Sequence, residues 1–287
     1  MLIMYCVVLA QTLNITIARI SLAVPDDNVN YVNKQSQMNK DVRKEISRSR
    51  YASEFAIKVF TSFINITLAV YKMATFNKDK KHDFNLEIVL DSFKKCISED
   101  QKVILLEYLS AYHELCRFFK LTGQIFSFVA RDLEKKMKAI EYHLNSQHGN
   151  SYKTVQSMVA FEVQSKTALV KHPHAAGTRT LIRLHQALEF ILAFMIRIRE
   201  GDEHELMSKL AWEVYIETLH QHHGWLTRKL AALAVYMLPT KKQLIDVMCK
   251  HDYDRVMELV QQVVETGQPV YNMIQEVLKS NDLLHAL

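Results

Sequence analysis

Two pairs of charged residues are spaced so that each pair lies on one face of a helix. Asp132 and Lys136 follow a run of apolar residues, and Arg179 and Arg183 open the strongly apolar segment 181–198. An arginine beside a buried segment must find an anion or reach water, because an unpaired buried charge is costly. The pairs therefore indicate either ordinary surface salt bridges or a site for an anionic ligand, and their spacing alone does not choose.

The elements that must position these charges are helices. From residue 84 onward, apolar residues recur at intervals of three and four, which predicts an all-α protein. We expect helices near residues 84–97, 101–120, 124–146, 151–169, 178–199, 203–222, 225–237, 240–249 and 253–282. Segment 181–198 is apolar nearly all round, so we place its helix at the centre of the domain. Ser98 and Thr240 are each followed three residues later by glutamine, as in a capping box, which predicts helix starts there.

Composition excludes several classes of protein. The six glycines of the 287-residue chain all stand alone, so there is no glycine-rich phosphate loop and little material for the turns of a barrel. The four cysteines share no short spacing, which argues against a zinc knuckle or a disulfide scaffold. A formal net charge of +5 suits an anionic ligand or a membrane surface. It does not require nucleic acid, and we predict no nucleic-acid partner.

Five histidines raise the question of a metal site. His220, His222 and His223 are close in sequence, and His172 and His174 form a second group. Neither group has a nearby cysteine or two histidines four apart backed by carboxylates, so we predict no metal and no cofactor. Nothing resembles a nucleophile elbow or a two-carboxylate site, which favours a protein that is not an enzyme. A helical metalloenzyme built on these histidines is the alternative.

The N-terminal residues differ from the rest, and we divide the chain into an extension, 1–81, and one domain, 82–287. The apolar stretch at residues 1–10 is too short to span a bilayer and lacks a positively charged leader. Residues 33–50 are basic, and the apolar stretch 59–71 between two lysines suits a membrane-surface helix. The extension is thus a signal peptide, a membrane-associating helix or a disordered segment, and the sequence leaves all three open.

A series of motifs from residue 84 onward follows the order of one known family. They are FNLEIVLDSFKKC (84–96), IFSF (125–128) before Asp132-x-x-x-Lys136, QSMVA (156–160), GTRTLIRLHQAL (177–188), Tyr215-x-x-x-Leu219-x-x-x-His223-x-Trp225, LPT (238–240) and VYN (270–272). On these motifs the chain resembles the glycolipid transfer protein superfamily, specifically its ceramide-1-phosphate transfer protein branch. The resemblance implies an all-α, two-layer helical sandwich that opens to hold one sphingolipid.

The resemblance assigns a lipid head-group site to Asp132, Lys136, Arg179, Arg183 and His223. It implies that Asp132 accepts a hydrogen bond from the ceramide amide and that His223 donates one to the acyl carbonyl. The three cationic side chains would hold the phosphate, and we expect the start of the arginine helix to add exposed N–H donors. Sugar-binding members have a neutral amide in place of Lys136 and a tryptophan in place of Arg183. The expected ligand is therefore ceramide-1-phosphate, with a glycolipid as the alternative.

An apolar pocket must sheath the lipid chains, because moving about thirty methylenes through water costs about 24 kcal/mol. The candidates for its wall are Phe126, Phe128, Met158, Val159, Phe161, Val163, Leu184, Leu188, Phe190, Ile191 and Phe194. Ordinary core packing is the alternative for each.

Membrane contact is expected at one further residue. Trp225 follows the site histidine by two residues, and we expect it at the membrane interface, with a core position as the alternative. The resulting hypothesis is a monomeric, non-enzymatic carrier in the cytoplasm that associates peripherally with membranes. Anchoring or secretion through the extension is left open, and a membrane-tethered sphingolipid sensor or presenter is the alternative function.

Overall fold

The computed structural model describes residues 82–122, 126–171 and 174–287, and this part of the chain is helical. Its nine α-helices are α1 (Leu86–Cys96), α2 (Leu105–Leu121), α3 (Ser127–Leu144), α4 (Val155–Gln164), α5 (Gly177–Glu200), α6 (Met207–Glu217), α7 (Trp225–Tyr236), α8 (Lys241–Met248) and α9 (Tyr253–Ser280). Short 3-10 helices lie at Gly149–Tyr152 and His220–His222. Extended pairing in the described residues consists of isolated β-bridges. The prediction of an all-α protein is confirmed.

The predicted N-terminal extension, residues 1–81, lies outside the described residues, and so does its apolar stretch 59–71. Among the helices that are described, none combines the length and the apolar character needed to cross a membrane.

Capping side chains determine where some helices begin, and one of the two predicted caps is observed. Thr240 caps α8 as predicted, because its side chain accepts from the backbone N–H of Gln243. The capping box predicted at Ser98 is wrong. The Ser98 hydroxyl accepts from the backbone N–H of Lys102 within a turn, where Gln101 has a φ of +55°. That left-handed conformation interrupts a helix, and α2 begins only at Leu105.

The helix α5 is the centre of the domain, as its sequence predicts. It packs against α3, α4, α6 and α9, and most of its apolar side chains are buried. Burial is incomplete on one side of its C-terminal half. There Phe190 and Phe194 are only half-buried, and Ile196 is exposed. The physical reason for the first two is a cavity, described below, which leaves part of each ring without packing partners.

Close packing holds α9 against the centre. A Cβ atom added at Gly267 would lie 3.0 Å from the Cδ2 of Leu192 on α5 and 3.2 Å from the Cε2 of Phe93 on α1. Glycine is therefore required by the approach of three helices rather than by its backbone freedom. This contact fixes the position of α5 relative to α1 and α9.

Candidate functional site

The helix α3 supplies one pair of the predicted site residues. Asp132 and Lys136 lie one turn apart and form an ion pair. The Lys136 side chain is 20% exposed, whereas that of Asp132 is 63% exposed. The lysine thus packs its stem against the protein and presents its ammonium group at the surface of the site.

The first two turns of α5 supply both arginines. Arg179 donates to the backbone carbonyl of Leu169 at 3.4 Å, and Arg183 donates from Nη1 to Oε1 of Gln186 at 3.1 Å. Across residues 82–122, 126–171 and 174–287, neither arginine forms an ion pair. Burial lowers the pKa of Arg183, and the neighbouring charge of Arg179 lowers it further, while Asp132 raises it. Because a guanidinium stays protonated in proteins, Arg183 presents an uncompensated charge.

His223 lies directly after the 3-10 helix His220–His222. Its Nδ1 is 3.0 Å from the hydroxyl of Tyr215 on α6. Burial lowers the pKa of His223 to about 4, Asp132 raises it, and the positive charges of Arg183 and Lys136 lower it. The imidazole is therefore neutral near pH 7.

The five predicted residues lie close enough to act on one another electrostatically. Asp132 acts electrostatically on both Arg183 and His223, Lys136 acts on His223, and Arg179 acts on Arg183. With a neutral histidine, three cations and one carboxylate leave the site with a net charge of two positive units. The arrangement can attract an anion and offer it several N–H donors.

A buried glutamate, which sequence reasoning missed, occupies the start of α5. Glu162 of α4 is 1% exposed and accepts from the backbone N–H groups of Gly177 at 2.8 Å and Thr178 at 2.7 Å. It also accepts from the Tyr152 hydroxyl at 2.7 Å. The expectation that these backbone donors are exposed to a ligand is wrong, because a carboxylate of the protein already binds them. At this helix start, the arginine side chains rather than these two backbone N–H groups are available to bind a ligand.

An apolar cavity lies between α1, α2, α5, α6, α7, α8 and α9. The empty space between these helices, including the part that is open to solvent, is about 910 Å³. Its wall is apolar except for the thiol of Cys249. The aromatic part of the wall consists of Phe84, Phe118, Phe119, Phe126, Phe190 and Phe194. A cavity lined in this way accommodates hydrocarbon rather than water.

The structure divides the predicted pocket residues into two groups. Phe126, Phe190, Ile191 and Phe194 line this cavity. Outside its wall, as the described residues define it, lie Phe128, Met158, Val159, Phe161, Val163, Leu184 and Leu188. Of these, Met158, Val159, Leu184 and Leu188 are fully buried core side chains. Wall residues that the sequence did not indicate include Phe118 and Phe119, because helical periodicity marks core and cavity side chains alike.

Of the remaining predicted residues that the structure describes, Trp225 and His174 are exposed, and His220 and His222 are half-buried. Trp225 is 72% exposed at the start of α7, so the core alternative for it is wrong. His174 stacks on Tyr142, whereas His220 packs edge-on against Tyr215. His174 and His220 thus contact different aromatic neighbours, and His172 lies outside the described residues. In the described part of the chain, no three His, Cys, Asp or Glu side chains are grouped so as to hold a metal ion.

The chain matches the family model described as Glycolipid transfer protein (GLTP) over residues 103–250, more than half its length. The chain belongs to the glycolipid transfer protein family. This family member is 33% identical over 205 residues to the ceramide-1-phosphate transfer protein of Danio rerio. The aligned region covers 70% of this chain and 97% of that protein. It is 35% identical over 205 residues to that of Xenopus laevis, covering 70% and 95%.

Solved structures of the family agree with the fold. The crystal structure of mouse ceramide-1-phosphate transfer protein in its apo form has a TM-score of 0.66 at 33% identity, covering 70% of this chain and 98% of that one. The human protein in complex with 2:0 ceramide-1-phosphate also has a TM-score of 0.66, at 30% identity and with the same coverage. The predicted helical sandwich of the glycolipid transfer protein type is confirmed.

The buried carboxylate of Glu162 gives a stability prediction. We expect Glu162→Ala to lower the free energy of unfolding by about 3–5 kcal/mol, because it leaves two buried N–H groups and one hydroxyl without their acceptor. Tyr152→Phe, which removes one donor only, should cost about 1–2 kcal/mol. Urea unfolding measures both. The exposed Glu99→Ala is the control, expected to lie within about 0.5 kcal/mol of wild type. A Glu162→Ala variant as stable as this control would contradict the capping role.

The environment of His223 gives a second prediction. Its imidazole should titrate with a midpoint of about 4 in the folded protein, because burial disfavours the charged form. The unfolded chain, with a midpoint of about 6.5, binds more protons between these values. Stability is therefore expected to fall as the pH falls through this window. NMR titration measures the midpoint, with the resonance assigned by its loss in His223→Gln. A midpoint near 6.5 would show that the ring is not desolvated.

Proposed function

We propose that this protein is a carrier that moves ceramide-1-phosphate between membranes. The observation that supports this most is the position of three cationic side chains beside an apolar cavity. On α5, Arg183 precedes Phe190 of the cavity wall by seven residues, about 10 Å along the helix axis. On the other side, Asp132 of α3 follows Phe126 of the wall by six residues. A lipid whose head group is bound at Arg183 could therefore extend its chains along α5 into the cavity.

Charge balance favours a phosphate head group over a sugar. A phosphomonoester carries about −1.5 to −2 charges near neutral pH. The site without ligand carries about two positive charges, so a bound phosphate nearly neutralises it. The planar guanidinium groups of Arg179 and Arg183 can each bind two phosphate oxygens. A neutral sugar would leave both of these charges uncompensated.

The ceramide amide group would be bound by the Asp132 carboxylate and by the neutral imidazole of His223. Asp132 is exposed enough to accept a hydrogen bond from the amide N–H while it remains paired with Lys136. When the Tyr215 hydroxyl donates to Nδ1 of His223, the imidazole proton resides on Nε2. His223 can then donate from Nε2 to the acyl carbonyl. The low pKa of His223 supports this role, because it keeps the ring neutral near pH 7.

Contact with the membrane would occur at the start of α7. Trp225 and Leu226 are 72% and 63% exposed, and they follow the site histidine by two and three residues. Exposed indole and leucine side chains next to each other suit the interface of a bilayer. The protein would thus associate peripherally with a membrane, as a monomer in the cytoplasm. It would take up the lipid without any bond being made or broken.

Transfer between vesicles tests the proposal. We expect the double variant Lys136→Ala with Arg183→Leu to move fluorescent ceramide-1-phosphate at least about tenfold more slowly than wild type, because each lost charged contact contributes about 1.5–3 kcal/mol. The matched control combines Lys135→Ala with Arg199→Leu, which removes one exposed lysine from α3 and one exposed arginine from α5. This control should transfer at the wild-type rate. Wild-type transfer by the first double variant would contradict the site.

A further inference from the structure

A buried glutamine connects the site arginine to the histidine segment. Gln186 lies on α5 one turn after Arg183 and is 7% exposed. Its Oε1 accepts from Nη1 of Arg183 at 3.1 Å, and its Nε2 lies 3.2 Å from Nδ1 of His222. The two ends of one amide thus join two elements of the site, α5 and the 3-10 helix His220–His222.

The chemistry of the three groups fixes which atom donates in each bond. A guanidinium has only N–H donors, so the amide oxygen of Gln186 must face Arg183. The amide NH₂ then faces His222, and it can only donate. Nδ1 of His222 must therefore be the unprotonated acceptor, and the proton of the neutral ring resides on Nε2.

The surroundings of His222 support this neutral form. Burial lowers the pKa of His222, and the neighbouring Arg183 and His285 lower it further. His223, the next residue, is acted on by His222 in the same sense. A proton on Nδ1 would place two donors face to face and break the connection between Gln186 and His222.

We propose that Gln186 and His222 are positioning residues of the head-group site, which hold the Arg183 guanidinium in its binding pose through a chain of hydrogen bonds with one polarity. The inference rests on the proposed function, in that Arg183 is the group that binds phosphate. Without the bond to Gln186, the half-buried arginine would be free to adopt other rotamers, and phosphate binding would have to order it again. Gln186 itself need not touch the lipid.

Binding measured in solution tests this role. The probe is a short-chain ceramide-1-phosphate, and its affinity is compared for wild type, Gln186→Met, Arg183→Leu and the variant with both substitutions. Methionine has nearly the shape of glutamine but forms neither bond. We expect Gln186→Met to weaken binding about tenfold, and to weaken it no further when Arg183 is already leucine. Equal effects of Gln186→Met in the two backgrounds, or no effect in either, would overturn the proposal.

A second glutamine–histidine pair provides the matched control. Gln275 of α9 is hydrogen-bonded to Nε2 of His185, and the pKa of His185 is shifted by burial and by Gln275 rather than by the head-group charges. Gln275→Met removes a bond of the same chemistry, and it should leave the affinity for the probe unchanged. Weakening equal to that of Gln186→Met would mean that general loosening of the fold, rather than arginine positioning, explains the effect.

Failure of the proposed function would be recognised separately. If wild type does not bind the probe, the head-group assignment is wrong, and the positioning inference is judged on the ligand-free protein by the NMR shifts of the His222 ring nitrogens. These should show the Nε2–H tautomer in wild type and a mixture of tautomers in Gln186→Met. The same tautomer population in both proteins would overturn the hydrogen-bond chain itself.

Discussion

Positive charge held beside an apolar interior is the constraint on which the structure depends. Burial disfavours the charged form of Arg183, and Arg179 opposes it further, yet a guanidinium cannot escape by losing its proton. Within the described residues, Arg183 donates to an amide oxygen, and the Asp132 carboxylate acts on it electrostatically without forming an ion pair. A state with an anion bound is therefore favoured over the empty one. In the proposed function, the cavity along the same helix holds the hydrocarbon chains of that anion.

The fold separates two kinds of N–H donor at the start of α5. The backbone donors of Gly177 and Thr178 are bound by Glu162, which fixes the helix start against α4. The side-chain donors of Arg179 and Arg183 project from the next turns and bind only neutral oxygens within the described residues. In the proposed site, a phosphate would replace the neutral contacts of the arginines with charged ones, while Glu162 would keep the helix start capped.

Much of the fold could be predicted from the sequence, because long amphipathic helices have a strong period. The order of the helices and the central place of α5 follow from that pattern. The prediction of a capping box at Ser98 was wrong because a serine and a glutamine three residues apart fit both a capping box and a turn. The local sequence does not distinguish the two. Family motifs, rather than spacing, selected the five charged and polar site residues, since spacing alone allowed surface salt bridges.

Other features of the site depend on contacts between distant elements. Glu162 looks like an ordinary helical glutamate until α4 is placed beside the start of α5. Gln186 acquires a role only when His222 is brought next to it, and a period of 3.6 residues cannot indicate this. The wall of the cavity could not be distinguished from the core for the same reason: Phe118 and Leu188 have the same pattern, but only the first lies where helices leave space.

The central claim is that the charges of this site select a phosphorylated head group. Equilibrium binding of ceramide-1-phosphate, ceramide and glucosylceramide with the same acyl chain tests it most directly. The account predicts that wild type binds the phosphorylated lipid at least about tenfold more tightly than either of the others, and that this preference is lost in Arg183→Leu. Equal affinity for the three lipids, or tighter binding of the glucosylated one, would contradict it.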